Sequence, residues 1–267
     1  MNKICDILNV LENSYPLKYS ESWDRSGLQI GDTSIFTDKI ILALDPSIEV
    51  LDHAIKTGAK LIITHHPVAL KGIFPIDTQT YIGKMIKKAI LNDITIYSAH
   101  TNFDSVEPNV TDALIEKLEL KYSKKSFLEA NKKSGRDDIG HGRIIELSNK
   151  MTNSDILSVL KEKTLVKYLR FVGDLDKIVN QIAIMGGSGA SFLYDAHKKG
   201  VDLYITGDIK YHDASLAEQL GLSVIDLGHF YSERYSLNIL KKLFNLNFEK
   251  IFVDIFNKEE DPFILWR

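Results

Sequence analysis

Residues 40–67 read IILALDPSIEVLDHAIKTGAKLIITHHP, and this stretch sets the fold class. The apolar run at 40–44 predicts a buried strand, and Pro46 marks a helix start because proline is tolerated in the first turn. The helix should end near Gly58, and a second apolar strand follows at 61–64. A strand, a crossover helix and a strand form a βαβ unit, so we expect these two strands to be parallel.

The same alternation continues along the chain. Further strands are predicted at 94–98, 181–185, 203–206, 224–226 and 251–255. Further helices are predicted at 81–91, 110–118, 191–199, 214–220 and 231–244. Short strands separated by helices are typical of the α/β class, with central sheets flanked by helices.

The alternation is interrupted in the middle of the chain. Residues 130–142 are polar and predict an exposed loop, while 143–173 has βαβ-like character without a chemical motif. We therefore predict two α/β domains built from βαβ units. One contains residues 1–123 together with 226–267, and the other contains residues 124–225.

The composition is that of an ordinary globular protein. The chain has 267 residues, 44% of them hydrophobic and 26% charged, with a net charge of −3. This charge gives no reason to expect binding to nucleic acid or to an anionic membrane. The single cysteine, Cys5, excludes an internal disulfide and a thiolate-only metal site. No apolar run approaches the ~20 residues of a membrane helix, and a signal-peptide pattern is missing, so we expect a cytoplasmic protein.

The strongest chemical feature is the pair His65 and His66, which directly follows the predicted strand 61–64. In open α/β sheets, ligands bind outside the carboxyl ends of the strands. Pro67 forces extended geometry on His66, so the two imidazoles could reach different ions of a pair. The alternative interpretation is a pair of exposed loop histidines.

Two more polar groups follow predicted strands. Asp104 comes after the strand at 94–98 and can supply a carboxylate that bridges two metals, although capping a turn or helix is an equally good interpretation. His229 and Glu233 come after the strand at 224–226 and are four residues apart. In a helix that starts by His229, both side chains lie on one face. Such a pair is weak evidence alone, because exposed helices contain many.

The shared position of these groups predicts a metal centre. Three imidazoles and two carboxylates follow three separate strands: His65, His66, Asp104, His229 and Glu233. Mn²⁺, Fe²⁺, Co²⁺ and Zn²⁺ all accept such ligands. Two ions ~3.5–4 Å apart can clamp the oxygens of a displacement and promote ionisation of a bridging water. We therefore expect two divalent ions per subunit, Zn, Fe, Mn or Co, in the domain of residues 1–123 and 226–267.

Candidates for proton transfer also follow predicted strands. Asp208 and His212 follow the strand at 203–206, with Lys210 between them. They are candidates to orient a water or to act as acid and base, and His100 is a candidate acid, base or substrate contact. The alternative for Asp208 and His212 is a cap followed by an exposed helix start.

Other polar features carry weaker predictions. The glycines at 186, 187 and 189 link a strand to a helix, where backbone N–H groups can cradle an anion. Phe192 stands where a dinucleotide fingerprint needs a small residue, and a tight structural turn is at least as good an interpretation. We expect core packing for Cys5 and surface positions for the remaining histidines, His53, His141 and His197.

Taken together, these segments resemble a known family, the GTP cyclohydrolase 1 type 2 homologues, also called Nif-three-like dinuclear-metal proteins. The matching segments, in the family's order, are ESWDRSGLQIG at 21–31, IITHHP at 62–67, SAHTNFD at 98–104, ITGDIKYH at 205–212 and GHFYSE at 228–233. They span nearly the whole chain, and jointly they are highly specific.

The resemblance implies a two-domain α/β protomer of Nif-three-like fold, in the short form without an inserted domain. It also implies a toroidal homohexamer with metal pairs facing an inner cavity. The metal-ligand role carries over onto His65, His66, Asp104, His229 and Glu233. Two departures are visible, because Arg25 replaces the Asn usual after Trp-Asp and Thr111 replaces an Asn usual before Asp112.

Two classes of function are open at this point. The leading hypothesis is a metal-dependent hydrolase, cyclohydrolase- or phosphoesterase-like, that acts on a nucleotide or another phosphorylated small molecule. In this hypothesis His100, Asp208 or His212 transfers protons during hydrolysis. The sequence shows no motif that would recognise a purine base. The alternative is a metal-binding regulator, storage protein or metallochaperone without turnover. A third possibility is a scaffold hexamer with a vestigial site.

Overall fold

The computed structural model describes residues 1–72, 75–131, 136, 138–264 and 266. The chain divides into two compact units. The first unit contains Met1–Val106 and Leu237–Glu259, and the second contains Glu107–Ser236 and Glu260–Arg267. Each unit is a sheet flanked by helices, so the predicted α/β class is confirmed. In the described part of the chain, no helix has the length and apolar character needed to cross a membrane.

The first unit is built on a five-stranded sheet. Its strands in spatial order are β13 (Phe252–Ile255), β4 (Lys39–Ala43), β5 (Leu61–Thr64), β6 (Thr95–Ser98) and β2 (Gly27–Ile30). The first four are parallel, which confirms the parallel pairing predicted for the βαβ unit, and β2 is antiparallel to β6. Two short strands, β1 (Asn2–Lys3) and β3 (Phe36–Thr37), pair separately.

The helices of the first unit are α1 (Ile4–Ser14), α2 (Ile48–Thr57), α3 (Tyr81–Leu91), α4 (Thr101–Ser105) and α10 (Leu237–Asn247). The Ser47 hydroxyl caps α2 by accepting a hydrogen bond from Val50 N at 3.2 Å. Gly58 ends the same helix with a φ of +75°, a conformation that glycine adopts without steric cost. The predicted end of α2 and both predicted boundaries of α3 are confirmed, whereas α2 begins at Ile48, so Pro46 precedes the N-cap and does not lie in the first turn.

The second unit is built on a six-stranded sheet. Its strands in spatial order are β7 (Tyr122–Ala130), β8 (Gly140–Thr152), β10 (Ile178–Ser188), β11 (Leu203–Gly207), β12 (Ser223–Asp226) and β9 (Arg170–Val172). Its helices are α5 (Val110–Leu118), α6 (Asn153–Thr164), α7 (Leu193–Lys198), α8 (Tyr211–Gln219) and α9 (His229–Glu233). The three central strands, β10, β11 and β12, are parallel to one another.

The periphery of this second sheet differs from the sequence prediction. The antiparallel pair β7 and β8 was not predicted. Residues 143–173 have the strand, helix and strand of the predicted βαβ-like order, but they do not form a parallel βαβ unit. The strands β8 and β9 are not neighbours, and each is antiparallel to the strand beside it. Of the loop predicted at 130–142, residues 132–135 and 137 lie outside the described residues.

The observed division of the chain also differs from the predicted boundaries at 123 and 226. Leu114 and Leu118 on α5 lie in the same core cluster as Ile182 of β10, and Tyr231 of α9 belongs to this cluster too. This apolar packing assigns α5 and α9 to the second unit. The helix predicted at 231–244 is split, because α9 ends at Glu233 and α10 begins at Leu237.

The N-terminus of α6 allows a test of the local structure. The Thr152 hydroxyl accepts a hydrogen bond from Asp155 N at 3.1 Å, and the Asp155 carboxylate accepts one from Thr152 N at 2.9 Å. We expect Thr152→Ala to lower the free energy of unfolding by about 1 kcal/mol, measured by urea denaturation. Ser158→Ala, an exposed site on the same helix, is the control and should change it by less than about 0.5 kcal/mol. Equal losses of unfolding free energy in the two variants would show that the Thr152 cap does not stabilise α6.

Candidate metal centre

Three imidazoles come together at one edge of the sheet in the first unit. His65 and His66 follow the end of β5, and His100 follows the end of β6. Because these strands are parallel and adjacent, the residues after them meet at the same edge. One ring nitrogen from each histidine lies within 4.8 Å of the others. The ring centroids are 5.0 Å apart for His65 and His66, 5.2 Å for His65 and His100, and 5.7 Å for His66 and His100.

Each of the three rings is held through its Nδ1 atom. The partners are the Ala99 carbonyl oxygen for His65 at 2.8 Å, Asp45 Oδ1 for His66 at 2.8 Å and Asp24 Oδ1 for His100 at 2.7 Å. A carbonyl oxygen and a carboxylate can only accept, so Nδ1 carries the hydrogen in each ring. The lone pair of the neutral imidazole then lies on Nε2, which is the arrangement typical of histidine metal ligands.

Asp104 adds a carboxylate beside this group. It lies on the short helix α4, and its Oδ1 is 3.8 Å from His65 Nε2. The N-caps of α4 and of the next helix are His100 and Asn109, so Asp104 is the N-cap of neither helix. The side chain of Asp104 is 28% exposed, whereas that of His65 is buried. The first unit thus brings together three imidazoles and one carboxylate.

Asp24 is the buried partner that orients His100. Its side chain is inaccessible to solvent and accepts hydrogen bonds from Ser26 Oγ at 2.5 Å and from Thr101 Oγ1 at 2.5 Å and Thr101 N at 3.1 Å. Burial opposes ionisation, but the hydrogen bonds from His100, Ser26 and Thr101 outweigh it and hold the pKa of Asp24 well below its ordinary value. Reasoning from residue patterns missed Asp24, because it follows no predicted strand. The family segment at 21–31 contains it without giving it a role.

The second unit holds an imidazole and a carboxylate in direct contact. The helix α9 begins at His229, so His229 and Glu233 lie on one face, with Nε2 and Oε2 3.1 Å apart. The His229 Nδ1 atom is 2.7 Å from Asp208 Oδ2. His229 is therefore anchored through Nδ1 in the same way as the three rings of the first unit. Glu233 is 4% exposed.

The glycine cluster packs against this pair. A Cβ atom on Gly187 would lie 2.2 Å from Glu233 Oε1 and 3.6 Å from His229 Nε2, so only glycine allows this approach. The N–H groups of three glycines donate to hydroxyls: Gly186 to Thr111, Gly187 to Ser232 and Gly189 to Thr206. These bonds favour the structural-turn interpretation over the anion cradle. Thr111, a departure from the family pattern, is one of these acceptors.

The remaining candidates lie elsewhere in their units. His212 is exposed in the first turn of α8, where its ring contacts Tyr211 at a centroid distance of 5.3 Å. This placement matches the exposed helix start that was the alternative for the segment. His53, predicted at the surface, is half-buried and contacts Asp254 Oδ2 through Nε2 at 2.7 Å. His141 is also partly buried, His197 is exposed, and Cys5 is partly buried on α1.

Two α/β units that place imidazoles and carboxylates after their strands define an α/β protein with groups able to hold metal ions. The chain belongs to the Duf34/NIF3 (NGG1p interacting factor 3) family, whose model matches residues 2–262. A Clostridium perfringens protein named GTP cyclohydrolase 1 type 2 homolog is 42% identical over 231 residues, which cover 86% of this chain and 87% of that relative.

Solved structures agree with this family membership. The crystal structure of Staphylococcus aureus protein SA1388 matches with a TM-score of 0.90 and 30% identity, covering 99% of each chain. The crystal structure of a Bacillus cereus protein related to NIF3 matches with a TM-score of 0.90 and 26% identity, again covering 99% of each chain. The Nif-three-like fold expected from the sequence is confirmed.

The lowered pKa of Asp24 predicts a dependence of stability on pH. Ionised Asp24 is bound more favourably in the folded chain, so its contribution is present above the unfolded pKa near 3.8 and is lost as the pH falls through the lower folded pKa. At pH 7 we expect Asp24→Asn to lower the free energy of unfolding of metal-free protein by about 2–3 kcal/mol. The loss should shrink as the pH is lowered below 3.8, measured by urea denaturation across a pH series. The control is Asp6→Asn at an exposed site on α1, which should follow the wild type. A pH-independent loss in Asp24→Asn would contradict the assignment.

Proposed function

We propose that this chain is a metal-dependent hydrolase that acts on a nucleotide or another phosphorylated small molecule. The observation that carries the proposal is the set of Nδ1-anchored imidazoles beside carboxylates, which is present in each unit by itself. The relative named GTP cyclohydrolase 1 type 2 homolog suggests the substrate class. Family membership supports a shared metal chemistry.

The residues fit divalent metal ions by their chemistry. Imidazole nitrogens and carboxylate oxygens suit Zn²⁺, Fe²⁺, Mn²⁺ and Co²⁺. Acceptors on Nδ1 fix the tautomer and raise the basicity of Nε2, which strengthens metal binding. We assign two ions per subunit to the ligand set predicted from the sequence: His65, His66, Asp104, His229 and Glu233.

When bound, such ions lower the pKa of a water and stabilise negative charge on a phosphoryl or carbonyl oxygen. The chain's own carboxylates do the orienting. Asp45 and Asp208 hold His66 and His229 through Nδ1, at 2.8 and 2.7 Å. From this contact we assign Asp208 the role of orienting the His229 ring, in place of the acid or base role in proton transfer considered from the sequence. Proton transfer by His212 stays a prediction, and its exposed position offers it no support.

We also propose a homohexamer and a cytoplasmic location. The hexamer follows from the family resemblance alone. The location is proposed from the single cysteine, because a chain with so few thiols and no internal disulfide fits a reducing compartment. A small-molecule substrate is the expected partner, because a net charge of −3 does not favour nucleic acid.

Gly187 provides a test of the carboxylate in the second unit. In Gly187→Ala the new Cβ would meet Glu233 Oε1 at 2.2 Å, so Glu233 must move. We expect metal affinity to fall about tenfold or more, measured by competition with a chromophoric chelator. Gly200→Ala is the matched control, because Gly200 has a φ of +69° against +67° for Gly187 but open space around its Cβ position. Both variants should lose about 1–2 kcal/mol of stability, and only Gly187→Ala should lose metal. Equal affinity in the two variants would remove Glu233 from the ligand set.

Asp104 provides the test of turnover. The native metal is identified by elemental analysis, restored, and the protein is assayed against a panel of nucleotides and phosphoesters. We expect Asp104→Ala to abolish hydrolysis and to retain the fold by circular dichroism, because the side chain is partly exposed on the short helix α4. The exposed Asp6→Ala on α1 is the control and should keep full activity.

The outcomes separate the hydrolase from its alternative. Hydrolysis that persists in metal-free protein or in Asp104→Ala would falsify the metal-dependent mechanism. A blank panel with tight, exchangeable metal would instead favour a non-enzymatic metal-binding regulator, storage protein or metallochaperone. Normal behaviour of ligand variants in cells would favour a scaffold with a vestigial site.

A further inference from the structure

Asp226 is a buried acidic residue of the second unit that has no part in the proposed ligand set. It ends β12, shortly before His229, and is 6% exposed. We propose that Asp226 and Arg170 form a positioning clamp that holds Asp208 against the His229 ring. The clamp itself does not depend on a bound ion, whereas its effect on metal affinity rests on the proposed function.

The residues that the clamp positions lie on two separate turns. Asp208 follows the end of β11, and His229 follows the end of β12. Because β11 and β12 are adjacent and parallel, the two turns lie side by side at one edge of the sheet. Asp208 has a φ of +58°, and Gly228 in the other turn has a φ of +83°. This conformation is costly for a residue with a Cβ atom, so the turn at Asp208 needs contacts that stabilise it.

The Asp226 carboxylate joins the two turns. Its Oδ1 accepts a hydrogen bond from Gly228 N at 3.0 Å, in the turn before His229. Its Oδ2 accepts one from Ile209 N at 3.2 Å, in the turn that carries Asp208. The N–H of Ile209 belongs to the peptide group that follows Asp208, so this bond restricts the backbone from which the Asp208 side chain projects. One carboxylate therefore sets the spacing between the two turns.

Arg170 completes the clamp from the neighbouring strand. It lies opposite Asp226 in the antiparallel pair of β9 and β12. Its Nη2 donates to Asp226 Oδ2 and also to the Ile209 carbonyl oxygen, the latter at 2.6 Å. Both polar backbone atoms of Ile209 are thus held, the nitrogen by Asp226 and the oxygen by Arg170. Burying a carboxylate is costly unless it is paired and hydrogen-bonded, and Asp226 meets both conditions.

The position of Asp208 matters because His229 lies between two carboxylates. Its Nδ1 is 2.7 Å from Asp208 Oδ2, and its Nε2 is 3.1 Å from Glu233 Oε2. A neutral imidazole has one hydrogen, which Asp208 draws to Nδ1 and Glu233 draws to Nε2. Only the first arrangement leaves the lone pair of Nε2 for an ion. The Asp208 side chain is 45% exposed, so burial does not fix it, and the clamp supplies the constraint.

A purely structural role for Asp226 is the alternative, and Asp202 offers the comparison. Asp202 directly precedes β11, at the opposite end of the strand from Asp208. Its Oδ2 accepts hydrogen bonds from Asn180 N at 2.8 Å and from Gln181 N at 2.9 Å. It therefore joins backbone groups of neighbouring segments as Asp226 does, but away from His229. Asp202→Asn is the matched control for Asp226→Asn.

The first test is nuclear magnetic resonance of the His229 ring nitrogens in the metal-free full chain, at an alkaline pH where the ring is neutral. We expect the wild type to carry the hydrogen mainly on Nδ1. Asp226→Asn should shift it toward Nε2, because the carboxamide lacks the second acceptor oxygen and the turn at Asp208 loosens. Asp202→Asn should keep the wild-type nitrogen shifts, even with a comparable loss of stability.

The second test is Co²⁺ affinity, measured by competition with a chelator. We expect Asp226→Asn to weaken Co²⁺ binding by about tenfold, as is typical when an outer partner of a metal ligand is changed. Asp202→Asn should leave the affinity unchanged. Asp208→Ala should weaken binding at least as much as Asp226→Asn does. Combining these two changes should add little further loss, because Asp226 acts through Asp208.

Arg170 gives a second route to the same result if Asp226→Asn does not fold. Its side chain is 62% exposed, so Arg170→Ala removes the cation without leaving a cavity. The side chain of Ile209 stays packed in a core cluster with Leu222 and Val224, which keeps the turn folded. We expect Arg170→Ala to shift the His229 hydrogen and to weaken Co²⁺ binding in the direction of Asp226→Asn. Arg170→Lys should recover part of both, because it restores a cationic donor.

Four results are decisive. Wild-type nitrogen shifts and Co²⁺ affinity in folded Asp226→Asn and Arg170→Ala would overturn the clamp. Equal changes in Asp202→Asn would overturn it too, because they would show a general loss of stability. Additive losses in the combined variant would overturn the route through Asp208. A wild type that binds no divalent metal would sink the proposed function, while the nitrogen shifts of metal-free protein would still decide the clamp.

Discussion

The shared carboxyl edge of parallel strands is the constraint on which the first unit depends. The strands β4, β5 and β6 lie side by side with the same direction, so the residues that follow them are brought to one edge. Asp45 follows β4, His65 and His66 follow β5, and His100 follows β6. Side chains far apart in the sequence therefore meet at this edge, because the sheet hydrogen bonds fix the positions of the strand ends.

Acceptor oxygens then determine which nitrogen each histidine offers. A neutral imidazole carries one hydrogen, and engaging it at Nδ1 leaves Nε2 as the ligand atom. In the first unit a backbone carbonyl and two aspartates serve as acceptors. In the second unit Asp208 is the acceptor for His229 Nδ1. The backbone of Asp208 has a left-handed conformation, with a φ of +58°. Four rings are thus anchored through Nδ1 by partners that differ in position and chemistry.

In the second unit, glycines allow the backbone to lie close to His229 and Glu233. Gly187 adopts a φ of +67° and lets the end of β10 approach Glu233, and a Cβ on Gly207 would lie 2.9 Å from the backbone nitrogen of His229. The hydroxyls of Ser232 and Thr206 accept hydrogen bonds from the N–H groups of Gly187 and Gly189. These backbone donors therefore keep hydrogen-bond partners where the turn packs against Glu233. Here glycine serves packing around the imidazole–carboxylate pair rather than anion binding.

The sequence by itself determined the central parallel strands, most helix positions and the residue types at the strand ends, because apolar periodicity and helix caps are local signals. It did not predict the hairpin of β7 and β8 or the split between α9 and α10, since antiparallel pairing and helix breaks depend on packing partners. Only the tertiary structure decided that Asp24 anchors His100 and that Gly187 contacts Glu233. Those contacts join residues separated by dozens of positions, and no local pattern records which distant acceptor a ring will find.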